Sequence, residues 1–153
     1  MPKKSFNEKL HSAGDLPKVE DLSGSPEIMK RMGGAKMLVA SPMQYNEMMA
    51  QIPRGKIIII DRIRAHLALQ AGANTTCPLT AGIFTNICAH ASEECDQDKI
   101  PWWRTLKYKG ELNEKFPDGQ NLLLVEEGHN IIAKGKRSFV QNYEDNLFAL
   151  DSE

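Results

Sequence analysis

Trp102, Trp103 and Arg104 are the consecutive residues of this chain best suited to hold a flat aromatic ligand. The chain has no other tryptophan, and nucleobases stack on such aromatic faces. Arg104 could meet a phosphate or a backbone carbonyl, although a surface ion pair fits it equally well. One or both indoles could instead lie in the core, since tryptophan is well buried on average. Because side chains alternate along a strand, the two indoles should face opposite ways. We expect Trp102 to face a ligand pocket and Trp103 to face the core.

Two predicted helices upstream carry a second candidate set. Asp61 is suited to cap a helix over residues 62–71, which Gly72 would end. After a short polar link, a longer helix is predicted over residues 78–94. Its inner face would hold Phe84, Ile87, Cys88, Ala91 and Cys95, and its outer face Leu79, Gly82, Asn86, His90 and Glu93. Two helices joined in this way predict a helix-turn-helix.

Polar and basic residues around these helices are candidates for contact with DNA. Gly82 would allow a close approach, Asn86 can bond base edges, and Thr80 lies beside them. Five basic residues precede the first helix, lie on it, or follow in a predicted hairpin, where they could meet phosphates: Lys56, Arg62, Arg64, Lys107 and Lys109. Alternatively, this helix face and these charges could simply be exposed to solvent. The clustering of the basic residues is therefore stronger evidence for DNA contact than any one of them.

The cysteines indicate a reducing compartment and no metal centre. Cys77, Cys88 and Cys95 are an odd number without a secretory leader, which favours the cytoplasm over a disulfide framework. Together with His90 they match no common zinc spacing, and Cys88 falls on the inner helix face. We therefore expect core cysteines, with no metal, no other cofactor and no displaced catalytic thiol.

Composition and charge limit the class of protein. With 153 residues, 41% hydrophobic content and a pI near 6.4, the chain is expected to fold as one globular domain. Dedicated nucleic-acid binders are usually basic, but the formal net charge is −1. Positive charge is concentrated in residues 52–91 and 99–110, whereas residues 92–98 and 111–153 are acidic. The longest apolar run, Ile57 to Ile60, is too short to cross a membrane.

The remaining patterns predict a mostly α fold with small β pieces. Residues 1–24 are expected to form a loose arm, and residues 25–153 a single domain. Before the helix pair we predict a helix from Pro26 closed by Gly33 and Gly34, a strand over residues 36–40, a helix from Pro42 to near Pro53 and a buried extended segment over residues 57–60. After it we predict an acidic loop over residues 93–98, a hairpin or wing over residues 103–112 and a helix over residues 118–127. The chain is then expected to form a strand over residues 131–133, a basic turn over residues 134–137 and a final helix over residues 143–150.

From Ile52 onward the order of motifs resembles the DNA-binding domain of the O6-alkylguanine-DNA alkyltransferase family. The matching stretches are Ile52-Pro53-Arg54-Gly55-Lys56-Ile57, Ala81-Gly82, Pro101-Trp102-Trp103-Arg104, Lys109-Gly110-Glu111-Leu112 and Leu123-Leu124-Val125-Glu126-Glu127-Gly128. They cover residues 52–128, in family order and at near-family spacing. The resemblance implies a winged helix-turn-helix-like domain over this range.

Active members of that family carry Pro-Cys-His-Arg, in which the cysteine accepts the alkyl group. Here Trp102 stands at the cysteine position and Trp103 at the histidine position, and an indole is no comparable nucleophile. The chain therefore resembles the alkyltransferase-like branch, which binds alkylated DNA without repairing it and flags it for excision repair. The resemblance implies a non-enzymatic protein that binds double-stranded DNA, with Trp102, Trp103 and Arg104 around a base pocket and excision-repair proteins as partners.

Other positions depart from the family pattern. Ile60 stands where the family usually has a tyrosine that helps rotate the nucleotide, and Leu79 where it has an arginine finger. An apolar wedge can replace such an arginine. Cys88 replaces the usual asparagine, and Glu127 matches a glutamate that bonds the catalytic histidine. In this chain Glu127 could cap a helix, pair with Arg104 or accept a bond from an indole.

These losses, and a methionine-rich first third, leave a different class of function open. The chain could be a protein-interaction or regulatory module built on a retired DNA-binding fold. A third reading, an active alkyltransferase, would require a cysteine elsewhere in the chain to act as the acceptor.

Overall fold

The computed structural model describes residues 5–12, 14–95 and 99–150. Its α-helices are α1 (Phe6–Leu10), α2 (Pro26–Met32), α3 (Pro42–Met49), α4 (Ile60–Ala71), α5 (Pro78–Glu94) and α6 (Gln120–Glu126). Its strands are β1 (Lys18–Asp21), β2 (Lys36–Val39), β3 (Ile58–Ile59), β4 (Thr75–Thr76), β5 (Thr105–Leu106), β6 (Ile131–Lys134) and β7 (Arg137–Val140). Helices with short strands make a mixed fold, in line with the predicted class.

Residues 5–12 and 14–24 do not form the loose arm predicted for residues 1–24, whose residues 1–4 and 13 lie outside the described chain. Ser5 caps α1 in a capping box with Glu8, and Leu10 is buried against the core. β1 then pairs antiparallel with β2, with Lys18 opposite Val39. The prediction was wrong because so short a helix and an exposed strand leave no sustained hydrophobic period in the sequence.

The next elements follow the sequence closely. α2 begins at Pro26 and ends at Gly33, which adopts the left-handed conformation that glycine tolerates. α3 begins with a capping box between Ser41 and Gln44, which satisfies two backbone N–H groups at its first turn. Cap residues are local signals, so the sequence suffices to place these helix ends.

A three-stranded sheet joins the N-terminal elements to the link between α4 and α5. Its order is β1-β2-β4, and β2 runs parallel to β4, with Met37 opposite Thr75. The amide of Cys77 donates to the carbonyl of Leu38 at 2.8 Å, directly before α5 begins. The start of α5 is therefore fixed by the sheet as well as by α4.

α5 begins and ends where the sequence predicts, while α4 differs at its start. Only Ile58 and Ile59 of the isoleucine run form a strand, which pairs parallel with β5, and Ile60 already begins α4. Asp61 is consequently not the N-cap but lies in the first turn, beside Arg64.

The C-terminal half departs further from the predictions. Residues 103–112 do not form a hairpin, because Thr105 and Leu106 pair with β3 instead. A single antiparallel bridge, Lys107 to Glu111, remains at that place. The two-stranded antiparallel sheet lies downstream, in β6 and β7. The final helix predicted over residues 143–150 is wrong. Only a short 3₁₀ turn, Tyr143–Asn146, forms there, and Leu147 instead bridges to Ile57.

Two hydrophobic clusters lie inside the fold. The larger packs α3, α4 and α5 around Tyr45, Ile63 and Trp102. The smaller packs β3, β5, α6 and β7 around Ile57 and Leu106. Of the described residues, no helix is long and apolar enough to cross a membrane. Residues 96–98 of the predicted acidic loop lie outside the described chain, while Glu93 and Glu94 still belong to α5.

Candidate functional site

The first half of α5 presents an exposed face that the sequence predicts. Leu79 is 72% exposed and Ile83 is 49% exposed, both large apolar side chains left in solvent. A Cβ added to Gly82 would meet no atom within 4 Å, so a ligand can approach this turn of the helix closely. The opposite face, with Ala81 and Thr85, is fully buried. Burial on one side thus holds the other side of α5 outward.

An open groove of about 830 Å³ runs along this face. It brings together six of the predicted site residues, namely Ile60, Arg64, Leu79, Gly82, Asn86 and Lys107. It also contains residues that were not predicted, among them Phe6, Lys9, Ile83, Tyr108 and Lys115. Exposed Leu79, Ile83 and Tyr108 make its walls partly apolar.

The charges along the groove are mainly positive. Four cations, Lys9, Arg64, Lys107 and Lys115, face two carboxylates, Asp61 and Glu114. A groove with an excess of positive charge and apolar walls suits a ligand that is both anionic and aromatic.

Arg64 is committed to the protein rather than free for phosphates. Its Nε and Nη2 donate to the carbonyl of Thr76 at 3.1 and 2.9 Å, and its Nη1 lies 3.3 Å from Asp61. The hydroxyl of Thr76 donates back to the carbonyl of Arg64 at 2.7 Å. These bonds tie α4 to β4, so the placement of Arg64 contradicts a predominantly DNA-contacting role.

Four predicted DNA contacts lie away from the groove. Lys56 is exposed before β3, and Arg62 borders a separate cleft beside His66 and Leu150. Thr80 is turned back, with its hydroxyl 3.5 Å from the carbonyl of Cys77. Lys109 is exposed, with Nζ 5.6 Å from the centroid of the Tyr108 ring.

Trp102 does not line a pocket, which corrects the expectation that it faces the ligand. Its side chain is only 1% exposed and packs edge-on against Trp103 and Phe116, with ring centroids 5.8 and 6.0 Å away. The residue lies in a 3₁₀ turn rather than a strand, so the alternation argument does not apply. Its Nε1 has no hydrogen-bond partner within the described chain. The alternative of a core tryptophan fits this residue.

Trp103 and Arg104 are held by a buried carboxylate, Glu127, and neither lines the groove along α5. Trp103 Nε1 donates to Glu127 Oε2 at 2.9 Å, and Arg104 donates to both carboxylate oxygens, at 2.6 Å from Nη2. Burial by itself raises the pKa of Glu127, but the bonds from Arg104, Trp103 and the amide of Gly55 outweigh it and hold the pKa below its usual value. Pairing with Arg104 and bonding an indole, two of the roles open to Glu127, thus occur together.

Cys88 is not placed for nucleophilic chemistry, and the described thiols do not share a metal site. Cys88 is buried, and burial raises the pKa of its thiol, which disfavours the reactive thiolate. His90 turns elsewhere, with Nε2 at 2.8 Å from the carbonyl of Lys115. Over residues 5–12, 14–95 and 99–150, no three His, Cys, Asp or Glu side chains are grouped to hold a metal.

Phe6 and Lys9 of α1 are site residues that sequence reasoning missed. A local signal was present, because Ser5-Phe6-Asn7-Glu8 has the capping-box pattern that starts a helix. Their place beside α5 depends on contacts across more than eighty residues of sequence, such as Asn7 to Glu94. No local pattern encodes such a contact.

Two solved structures are similar to this fold. The first is a crystal structure of Schizosaccharomyces pombe Atl1 in complex with damaged DNA containing O6-carboxymethylguanine, with a TM-score of 0.50 and 18% identity over 71% of this chain and 94% of that chain. The second, S. pombe ATL in complex with DNA, covers the same shares at 18% identity with a TM-score of 0.49. No protein-family model and no curated protein sequence matches this chain. The predicted resemblance to alkyltransferase-like proteins is thereby confirmed at the level of the fold.

Proposed function

We propose that this chain is a non-enzymatic, alkyltransferase-like protein that binds double-stranded DNA and recognises O6-alkylated guanine in it. The fold supports this, because the similar Atl1 structure is a complex with damaged DNA. The observation that carries the proposal is the exposed face of α5, on which an uncovered leucine, Leu79, and an open glycine, Gly82, border a positively charged groove.

Each of these features has a physical role in binding a duplex. Leu79 is long enough to enter a base step and unstack it, as apolar wedges do in DNA-bending proteins. Gly82 lets the backbone of α5 approach the DNA, and Asn86 offers an amide for base edges. The lysines of the groove neutralise phosphates and release counterions, which makes binding dependent on salt.

The absence of alkyl-transfer activity is part of the same proposal. By the sequence resemblance, the position of the family nucleophile corresponds to Trp102, which is buried and has no nucleophile comparable to a thiolate. Burial also keeps the thiol of Cys88 protonated. We therefore expect no transfer of labelled methyl from O6-methylguanine DNA to any cysteine, and labelling of Cys77, Cys88 or Cys95 would contradict this.

Recruitment of excision-repair proteins is a further part of the proposal, and one feature supports a protein partner. Leu122 and Val125 lie one turn apart on α6 and are 70% and 53% exposed. The same pair is the observation that favours the alternative, a protein-interaction module without DNA binding. The two functions differ in one outcome, since the alternative predicts no affinity for DNA.

The decisive experiment measures binding of labelled duplexes with guanine or O6-methylguanine, at about 50 mM and about 200 mM salt. We expect tighter binding of the modified duplex, and binding that weakens as salt rises. Leu79→Ala should reduce affinity by about tenfold, the equivalent of about 1.4 kcal/mol of lost wedge contact.

Leu122→Ala is the matched control, because Leu122 is equally exposed but lies on α6, outside the groove. The affinity of the Leu122→Ala variant for both duplexes should equal that of the wild type. Negligible binding to both duplexes would overturn the proposed function, and equal losses in the two variants would remove the role of Leu79.

A further inference from the structure

Helix α1 is docked on α5 by specific polar contacts. The carboxylate of Glu94, in the last turn of α5, accepts the backbone amides of Phe6 and Asn7 at 3.0 and 2.9 Å. The side-chain amide of Asn7 donates to the carbonyl of Ala91 at 2.9 Å. Two first-turn amides of α1, which lack partners inside the helix, are thus satisfied by α5, and this fixes the position of α1.

An aromatic contact extends this docking into the groove. The Phe6 ring stacks on the His90 ring, with centroids 4.6 Å apart and planes 22° from parallel. The Nζ of Lys9 lies over the Phe6 ring, 4.9 Å from its centroid. His90 Nε2 contacts the carbonyl of Lys115 at 2.8 Å. One chain of contacts therefore links Lys9 to the backbone of Lys115 through the Phe6–His90 pair, and both lysines line the groove.

These two lysines differ from the other groove cations. Arg64 pairs with Asp61, and Lys107 Nζ lies 3.8 Å from Glu111. Neither Lys9 nor Lys115 has a carboxylate within 4.0 Å among the described residues. Among the groove cations of the described chain, Lys9 and Lys115 are therefore the two without a carboxylate partner, and neither was among the predicted basic residues.

We propose that α1 is part of the DNA-binding surface, with Lys9 and Lys115 contacting the phosphodiester backbone of a strand that passes along the groove. This inference rests on the proposed function, since it assumes that the groove of α5 receives DNA. A lysine ammonium is a point charge that binds phosphate without strict geometry, so two lysines at one end of a groove suit a backbone rather than a base.

Salt dependence tests the proposal, because each phosphate contact contributes a fixed amount to it. The slope of log K against log salt concentration should fall in magnitude by about 0.9 for Lys9→Gln, by the same amount for Lys115→Gln, and by about 1.8 for the double variant on duplex DNA. Lys9→Arg should keep the wild-type slope, because it keeps the charge. Lys30→Gln is the matched control, since Lys30 is an exposed lysine on α2 outside the groove.

A second variant tests whether docking of α1 matters. Glu94→Gln weakens the contact that holds the first turn of α1, so Lys9→Gln should change the slope less in this background than in the wild type. If the wild type binds duplex DNA, and Lys9→Gln and Lys115→Gln both keep the wild-type slope, α1 is not part of the DNA-binding surface. If the wild type does not bind duplex DNA at all, the proposed function fails and this inference fails with it.

Discussion

At the scale of single residues, Glu127 binds the segment that contains Trp103 and Arg104. Its side chain is 3% exposed and accepts bonds from the amide of Gly55, the indole of Trp103 and the guanidinium of Arg104. Arg104 also donates to the carbonyl of Ile52 at 2.6 Å. A buried charge pair is tolerated only with such complete bonding. These residues therefore form a rigid support beside the smaller core, rather than a ligand pocket.

Glu127→Gln removes the negative charge with little change of shape. Arg104 would then be a largely buried cation without its counter-charge, so we expect the free energy of unfolding to fall by about 3 kcal/mol. Urea-induced unfolding followed by tryptophan fluorescence measures this change. Glu126→Gln is the control, because Glu126 is exposed and its substitution should shift stability by less than about 0.5 kcal/mol. Equal stability of the two variants would show that the pair is not structurally important.

At the scale of elements, the N-terminal sheet fixes the angle at which α4 leads into α5. The amide of Asn74 donates to the carbonyl of Lys36 at 2.9 Å, and the amide of Lys36 donates to the Asn74 side chain at 3.0 Å. Gly34 lies so close to Asn74 that an added Cβ would overlap its side chain. The link between the two helices is therefore held from outside, by residues that precede both helices in sequence.

Gly34→Ala tests this contact. A methyl group at Gly34 would push Asn74 away from Lys36, and such overpacking typically lowers stability by about 1–3 kcal/mol. Thermal unfolding measures the loss, and we also expect weaker DNA binding because the start of α5 would shift. Gly24→Ala is the control, since a Cβ there meets no atom within 4 Å. A melting temperature of Gly34→Ala equal to that of Gly24→Ala would contradict this account.

At the scale of the whole molecule, two buried groups link stability to pH in the same direction. Burial lowers the pKa of His129 below its ordinary value of 6.5, with nearby Arg104 adding to the effect and Glu127 opposing it. The hydrogen bonds to Glu127 hold its pKa below the ordinary 4.5. In both cases the unfolded chain binds the proton more readily than the folded one, so acid favours unfolding.

We therefore expect stability to fall in two stages as pH decreases. The contribution of His129 is present above its ordinary pKa of 6.5 and is lost as pH falls below that value, and the contribution of Glu127 is lost as pH falls below its ordinary pKa of 4.5. Urea unfolding midpoints across this range measure both stages. His129→Gln should remove the first stage and keep the second. A wild-type midpoint that stays constant as pH falls from 6.5 to 4.5 would contradict the first stage.

The net charge of the whole molecule is −1, but the charge is unevenly distributed over its surface. The groove beside α5 has more positive than negative side chains, although the chain as a whole does not. Acidic residues elsewhere on the surface repel phosphate, so the proposed binding to undamaged DNA should be weak. A pI near 6.4 is therefore compatible with a local surface for DNA.

Local signals in the sequence were sufficient for several elements and for one face of the site. Proline at the first position and glycine at the end place α2, and the capping box at Ser41 places α3. The helical period of α5 separates its faces, so Leu79, Gly82 and Asn86 could be assigned to the outer one. The ordered motifs of residues 52–128 indicate the alkyltransferase-like fold, which the structural similarity confirms.

Tertiary structure alone decided the rest, because it depends on contacts between distant residues. Trp102 is buried against Phe116, and Trp103 and Arg104 are bonded to Glu127, so the partners of these three residues lie within the protein. Docking of α1 on α5 adds a wall to the groove, from a segment whose sequence has no helical period. Spacing and periodicity describe one element at a time, whereas the partner of a buried carboxylate or an exposed helix face is chosen when the elements pack together.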